Sequence, residues 1–133
     1  MVNVVINETV QLAYDCGEGN RVIIEYDNNL DVEFIAQVRE NYVRDIIASL
    51  QLNKRNANIQ SVLYDRSADA RFFMFEFEKH LIEKGYETVS YVRTLPETEE
   101  GRKSLEKRAS DLGLKEYTLA QYHNIIIYTK RLQ

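Results

Sequence analysis

Residues 58–92 read NIQSVLYDRSADARFFMFEFEKHLIEKGYETVSYV, and the change of period along this stretch decides the fold class. Ile59 to Tyr64 has strand character. From Ser67 onward Phe73, Met74, Phe77, Leu81 and Ile82 follow the three-to-four spacing of a helix with one apolar face. Ser67 is placed to cap that helix, and Asp69 lies in its first turn, where a negative charge meets the positive end of the helix dipole. Gly85 stands just past its end, the usual place for a left-handed residue. Thr88 to Val92 returns to strand character. Strand, helix and strand in this order predict a right-handed crossover within a parallel or mixed sheet.

Working outward, the N-terminal side adds strands. Val2 to Ile6 is rich in β-branched residues, Val10 to Tyr14 alternates apolar and polar, and Arg21 to Tyr26 contains a Val-Ile-Ile run. Asp15-Cys-Gly-Glu-Gly-Asn20 between the last two is turn-rich and predicts a hairpin. Asp27-Asn28-Asn29 then breaks the strand. Phe34, Ile35, Val38, Tyr42, Ile46, Ile47 and Leu50 predict a long amphipathic helix with Asp31 near its start, and Asn53 to Asn58 reads as a polar connection. On the C-terminal side, Pro96 with Glu97, Glu99 and Glu100 marks a third helix start. Leu105, Ala109 and Leu112 give that helix an apolar stripe, and Gly113 closes it. Thr118-Leu-Ala-Gln121 fits a capping box, whereas Ile125 to Thr129 is strongly β-branched, and a strand is the favoured reading of the latter. The expected architecture is α/β with a mixed sheet, a β-hairpin plus a third strand followed by alternating units, in the order β-β-β-α-β-α-β-α-β. Pro96 is the single proline and no Gly/Ser-rich stretch occurs, so residues 1–133 read as one α/β domain.

Composition excludes several classes. Apolar residues make up 44% and charged residues 29% of 133, a globular balance. Apolar runs stop at four or five residues, as in Phe72 to Phe75, so no bilayer span is expected. The start lacks the basic and apolar regions of a secretory signal, and the lone Cys16 offers neither a disulfide nor a zinc site, which points to the cytoplasm. The net charge of −4 and the even spread of Lys and Arg argue against nucleic acid. Arg102, Lys103, Lys107 and Arg108 alternate with Glu99, Glu100 and Glu106 and read as a solvated helix face.

Few residues carry candidate chemistry. His80 and His123 stand apart from any Ser or Cys partner motif, and no His, Cys, Asp or Glu spacing resembles a metal-ligand set, so neither metal nor cofactor is expected. Cys16-Gly-Glu-Gly19 resembles the glycine-rich start of a nucleotide site, but Arg21 to Tyr26 continues as a strand where such a site needs a helix N-terminus, which favours a hairpin turn. The remaining candidate is a rim at the carboxyl ends of two strands, where ligands of open α/β sheets bind. There Asp65, Arg66 and Ser67 precede one helix, and Arg93 and Thr94 precede Leu95, Pro96 and Glu97. Arg66 and Arg93 are candidates to hold an anion beside the helix N-termini at Ser67 and Glu97. The competing reading makes Ser67 a cap and both arginines solvated.

The stretches Glu8-Thr-Val-Gln-Leu-Ala-Tyr-Asp15 and Val22-Ile-Ile-Glu-Tyr-Asp27, with Asn58-Ile-Gln-Ser-Val-Leu-Tyr-Asp65, resemble the opening hairpin and central strand of the STAS domain in its SpoIIAA-like form, the fold of anti-sigma-factor antagonists. The antagonists' phosphorylatable serine motif corresponds here to Asp65-Arg-Ser67-Ala-Asp-Ala, without the paired serines or the glycine, leaving Ser67 as its counterpart. The resemblance implies a non-enzymatic module that binds a protein partner or a small ligand. The leading expectation is a regulatory or interaction domain with the exposed face of the second helix (Arg71, Glu78, Lys79) as one partner surface and the Asp65 to Asp69 loop as its rim. Two other readings stand beside it. One is a small enzyme or binding protein for an anionic ligand at the rim of residues 65–69 and 93–97. The other is a homodimer formed through an edge strand, either Val2 to Ile6 or the Ile125 run.

Overall fold

The computed structural model describes residues 9–28, 55–122 and 124–132. The expected strand Val2 to Ile6, the expected helix Phe34 to Leu50 with its Asp31 cap, Asn53 and His123 lie outside the described residues. Among those described, six strands and two α-helices form a mixed α/β fold: β1 (Thr9–Gly17), β2 (Asn20–Asn28), β3 (Asn56–Leu63), α1 (Ser67–Glu83), β4 (Thr88–Thr94), α2 (Glu99–Asp111), a 3-10 turn (Leu114–Glu116), β5 (Thr118–Tyr122) and β6 (Ile125–Arg131). The strands make one sheet in the order β1-β2-β3-β4-β6-β5. The β3–β4 pair is parallel and every other pair antiparallel.

The local chemistry explains the elements. Gly17 and Gly19 have φ of +82° and +80° around Glu18, the left-handed turn that lets β1 fold back on β2. On α1 the residues Ala70, Met74, Phe77 and Leu81 are buried at helical spacing. They pack on the face of β2, β3 and β4 that presents Val22, Ile24, Tyr26, Ile59, Val89 and Tyr91, and Phe77 meets Tyr26 edge-to-face at 5.4 Å. Ala109 of α2 and its C-cap residue Leu112 join the same core. Gly85, at φ +85°, ends α1 while the Tyr86 amide donates to the Leu81 carbonyl at 2.9 Å.

Thr88 and Ser90 alternate with Val89 and Tyr91 and so project to the opposite face. There Thr88 Oγ1 donates to Asn56 Oδ1 (2.8 Å), Asn56 Nδ2 donates to Ser90 Oγ (3.1 Å), and Ser90 Oγ donates to Asn58 Oδ1 (3.3 Å). Asn56, Thr88 and Ser90 are all buried, so these bonds meet polar needs that water cannot reach.

Five expectations are corrected. Asn56 to Asn58 belong to β3 rather than to a polar connection, because their amides bond to the Thr88 and Ser90 hydroxyls across the ladder. Ser67 does not cap α1: Arg66 occupies the N-cap position without a side-chain cap bond, and Ser67 is the first helical residue. Ile82 faces outward at 42% exposure instead of joining the core stripe. Thr118 to Gln121 is strand, not helix, since it pairs along β6 from Thr118↔Thr129 to Tyr122↔Ile125; a segment this short gains more from an open strand edge than from an isolated helical turn. The Ile125 run is not an edge, because β6 lies between β4 and β5; among the described residues the sheet edges are β1 and β5.

Candidate functional site

The parallel β3–β4 ladder runs from Asn56↔Thr88 to Ile59↔Tyr91 and stops there. On the other side of β3, Tyr26 pairs with Ile59 and Glu25 with Ser61, so Gln60 is an extra residue in the strand. Such a bulge bends its strand and re-aims its backbone groups. Beyond it the β3 carbonyls meet guanidinium groups instead of β4 amides.

Arg93 fills the split from β4. Its Nη1 donates to the carbonyls of Val92 (2.7 Å) and Ile59 (3.3 Å), and its Nη2 donates to that of Gln60 (2.8 Å). The guanidinium lies 3.8 Å from the centroid of the Tyr91 ring. Arg108 enters from α2, where its Nη1 donates to the Val62 carbonyl at 2.7 Å and its guanidinium sits 5.2 Å from the Tyr64 ring. The Tyr64 hydroxyl donates to Asp111 Oδ2 at 2.8 Å. Burial, reinforced by that hydrogen bond, pushes the Tyr64 phenol up to about 12. Among the described residues no carboxylate forms an ion pair with Arg93 or Arg108.

The other rim residues are placed differently. Arg66 Nε bonds to Asp69 Oδ2 at 2.6 Å, so its charge is matched within its own helix turn. Asp65 and Ser67 are exposed. Thr94 is exposed at the end of β4, opposite Ile125. The following loop is tied down: the Leu95 amide donates to the Asn124 carbonyl (2.5 Å), Arg102 Nε donates to the Pro96 carbonyl (3.0 Å), and Thr98 caps α2 by accepting from the Gly101 amide (3.1 Å). Thus β3 and β4 are adjacent and parallel, and the groups that meet the β3 carbonyls where their ladder ends are Arg93 from β4 and Arg108 from α2. Arg108 was assigned above to a solvated helix face. Its position between Leu105 and Leu112, at the border of the apolar stripe, is the signal in the sequence that it reaches the sheet.

A second surface lies on the outside of α1. Phe72 and Phe75 are 59% and 61% exposed, and with Ile82 they occupy one face of the helix. Lys79 belongs to that face, 5.6 Å from the Phe75 ring and 3.5 Å from Glu76 Oε1. Glu78 does not: it turns toward the sheet, where Lys130 Nζ approaches its Oε1 at 2.7 Å and the Tyr117 hydroxyl donates to its Oε2 at 3.3 Å. Arg71 is exposed but donates to the Ser110 carbonyl at 2.9 Å, which braces α1 against α2.

His80 is half-buried with its ring 6.5 Å from that of Tyr26, and Cys16 is a free, partly exposed thiol near the end of β1. Among the described residues no group of three or more His, Cys, Asp or Glu side chains could hold a metal ion, and no helix is long and apolar enough to cross a membrane. No protein-family model, curated protein or solved structure matches this chain.

Proposed function

We propose that this chain is a non-enzymatic regulatory or protein-interaction domain of STAS-like type that docks a partner on the outer face of α1. The observation that carries the reading is the exposure of Phe72, Phe75 and Ile82 on one helical face. Large apolar side chains exposed together on one helix are a recognised mark of protein contact, whereas single ones are ordinary. With Lys79 they fall at i, i+3, i+7 and i+10, the 3.5-residue seam spacing on which another amphipathic helix packs. The partner is therefore a protein that presents an apolar helical face, and α1 is supported for that contact from behind by Met74, Phe77 and Leu81.

A photo-crosslinking residue at position 75, with a control at the exposed position 21, tests this in the native host. Adducts specific to position 75, abolished by Phe72→Ser with Ile82→Ser, are expected. An adduct with a second copy of the chain would assign the face to a homodimer instead. Equal labelling at both positions, or none at position 75, would overturn the reading.

A further inference from the structure

Apart from the α1 face, the split between β3 and β4 has a property that a structural brace does not require: two guanidinium groups that, among the described residues, form no ion pair. Arg93 commits three N–H groups to the carbonyls of Val92, Ile59 and Gln60, and Arg108 commits one to Val62. A guanidinium carries five N–H donors. Each arginine therefore keeps donors in reserve while its position is fixed by the backbone and by an aromatic ring, Tyr91 for Arg93 and Tyr64 for Arg108. Val62 lies two residues past Gln60, so the anchoring carbonyls are separated by about 7 Å along the strand. Both guanidinium groups are thus anchored on one short stretch of β3, and charge-assisted N–H···O bonds of about 2.8 Å are what their remaining donors would offer a tetrahedral anion. Asp111 at the end of α2 accepts from the Tyr64 hydroxyl and forms no ion pair with either arginine. A doubly charged oxyanion matches this pair better than a single carboxylate does, because it balances both charges.

We propose that the β3–β4 split is a phosphate-binding site in which Arg93 and Arg108, anchored by β3 carbonyls, direct their remaining N–H groups at one phosphate group. Free phosphate and the phosphate of a small phosphorylated molecule share this chemistry. The site is separate from the docking face of α1 and does not depend on it.

Calorimetric titration and thermal unfolding with inorganic phosphate and with phenyl phosphate, against sodium chloride at matched ionic strength, test the proposal. Wild type and Arg102→Gln should bind saturably and gain thermal stability. Arg108→Gln should bind roughly tenfold more weakly or worse, as expected for loss of a charge-assisted bond. Arg93→Gln removes backbone bonds as well, so its readout is the phosphate-induced change relative to its own phosphate-free transition. Tighter binding of phenyl phosphate identifies a phosphate monoester as the ligand, tighter binding of inorganic phosphate identifies the free ion, and either supports the site. A stabilisation reproduced by chloride, or undiminished in Arg108→Gln, overturns it.

Discussion

Replacing Thr129 by valine should make this protein more stable. Thr129 is 2% exposed on β6, and its hydroxyl is, among the described residues, the buried side-chain polar atom without a hydrogen-bond partner. Its cross-strand neighbours are Ser90 on β4 and Thr118 on β5. The one proton of the Ser90 hydroxyl is given to Asn58, so it has none for Thr129, and no bond from Thr129 reaches its remaining lone pair; the polar ladder ends one strand short of Thr129. Burying an unsatisfied hydroxyl costs about 1–3 kcal/mol, and valine has the same shape without it. Valine also keeps the β-branch that suits a strand. We expect a gain of about 1 kcal/mol in urea unfolding, and a rise in Tm of about 3–5 °C for a chain of this size. Thr129→Ser is the control: it keeps the hydroxyl, deletes a buried methyl group and should lose about 1 kcal/mol. Loss of stability in the valine variant, with serine close to wild type, would show that the hydroxyl is satisfied and refute the argument.

Gly101→Ala should destabilise, although alanine favours a helix interior by about 1 kcal/mol: a Cβ there would fall 2.6 Å from the Pro96 Cβ and 3.0 Å from the capping Thr98 Oγ1, and circular dichroism melts would record the loss. Arg93→Met leaves three backbone carbonyls without their donors, and a loss of about 1–2 kcal/mol in urea unfolding is expected once solvent replacement at the exposed ones is allowed for. The Tyr64 phenol, held at about 12 when folded, should make stability fall as pH rises above the ordinary tyrosine value of about 10, since the unfolded chain releases that proton first. Tyr64→Phe should flatten its share of that fall in urea midpoints measured across the alkaline range, and an unchanged slope would contradict the assignment.

The β3-α1-β4 unit was legible because two signals agreed there: the apolar period of α1 and the Gly85 stop are local facts of the chain. The hairpin was legible for the same reason, since Gly17 and Gly19 permit a turn that few other residues accept. What escaped the sequence was set by partners distant along the chain. Asn56 and Asn58 look like loop residues until Thr88 and Ser90 lie beside them. Thr118 to Gln121 carries a helix-start pattern, and only the open side of β6 turns it into strand. At the candidate site, Arg93 stood out in the sequence from its place at a strand end, and the structure places it against the β3 carbonyls. Arg66 was drawn to Asp69 three residues away, and Arg108 became a neighbour of the site through the bulge at Gln60, which no local pattern announced.

The shortness of the β3–β4 ladder has a consequence for how the sheet comes apart. One half, β1-β2-β3, is held by antiparallel pairing from Thr9↔Asp27 onward, and the other, β4-β6-β5, by pairing along the whole of β4 from Thr88↔Arg131 to Thr94↔Ile125. Between them the backbone joins only from Asn56 to Ile59, reinforced there by the Asn-Thr-Ser side-chain ladder; beyond it Arg93 of β4 bonds to the Ile59 and Gln60 carbonyls, and Arg108 ties α2 to Val62. This junction is the seam along which the domain should breathe. In native-state hydrogen exchange the amides bridging β3 and β4 should open at lower free energy than those of β4–β6. An anion held by both arginines would close that seam, so occupancy at one end of the sheet would be felt as rigidity across its middle.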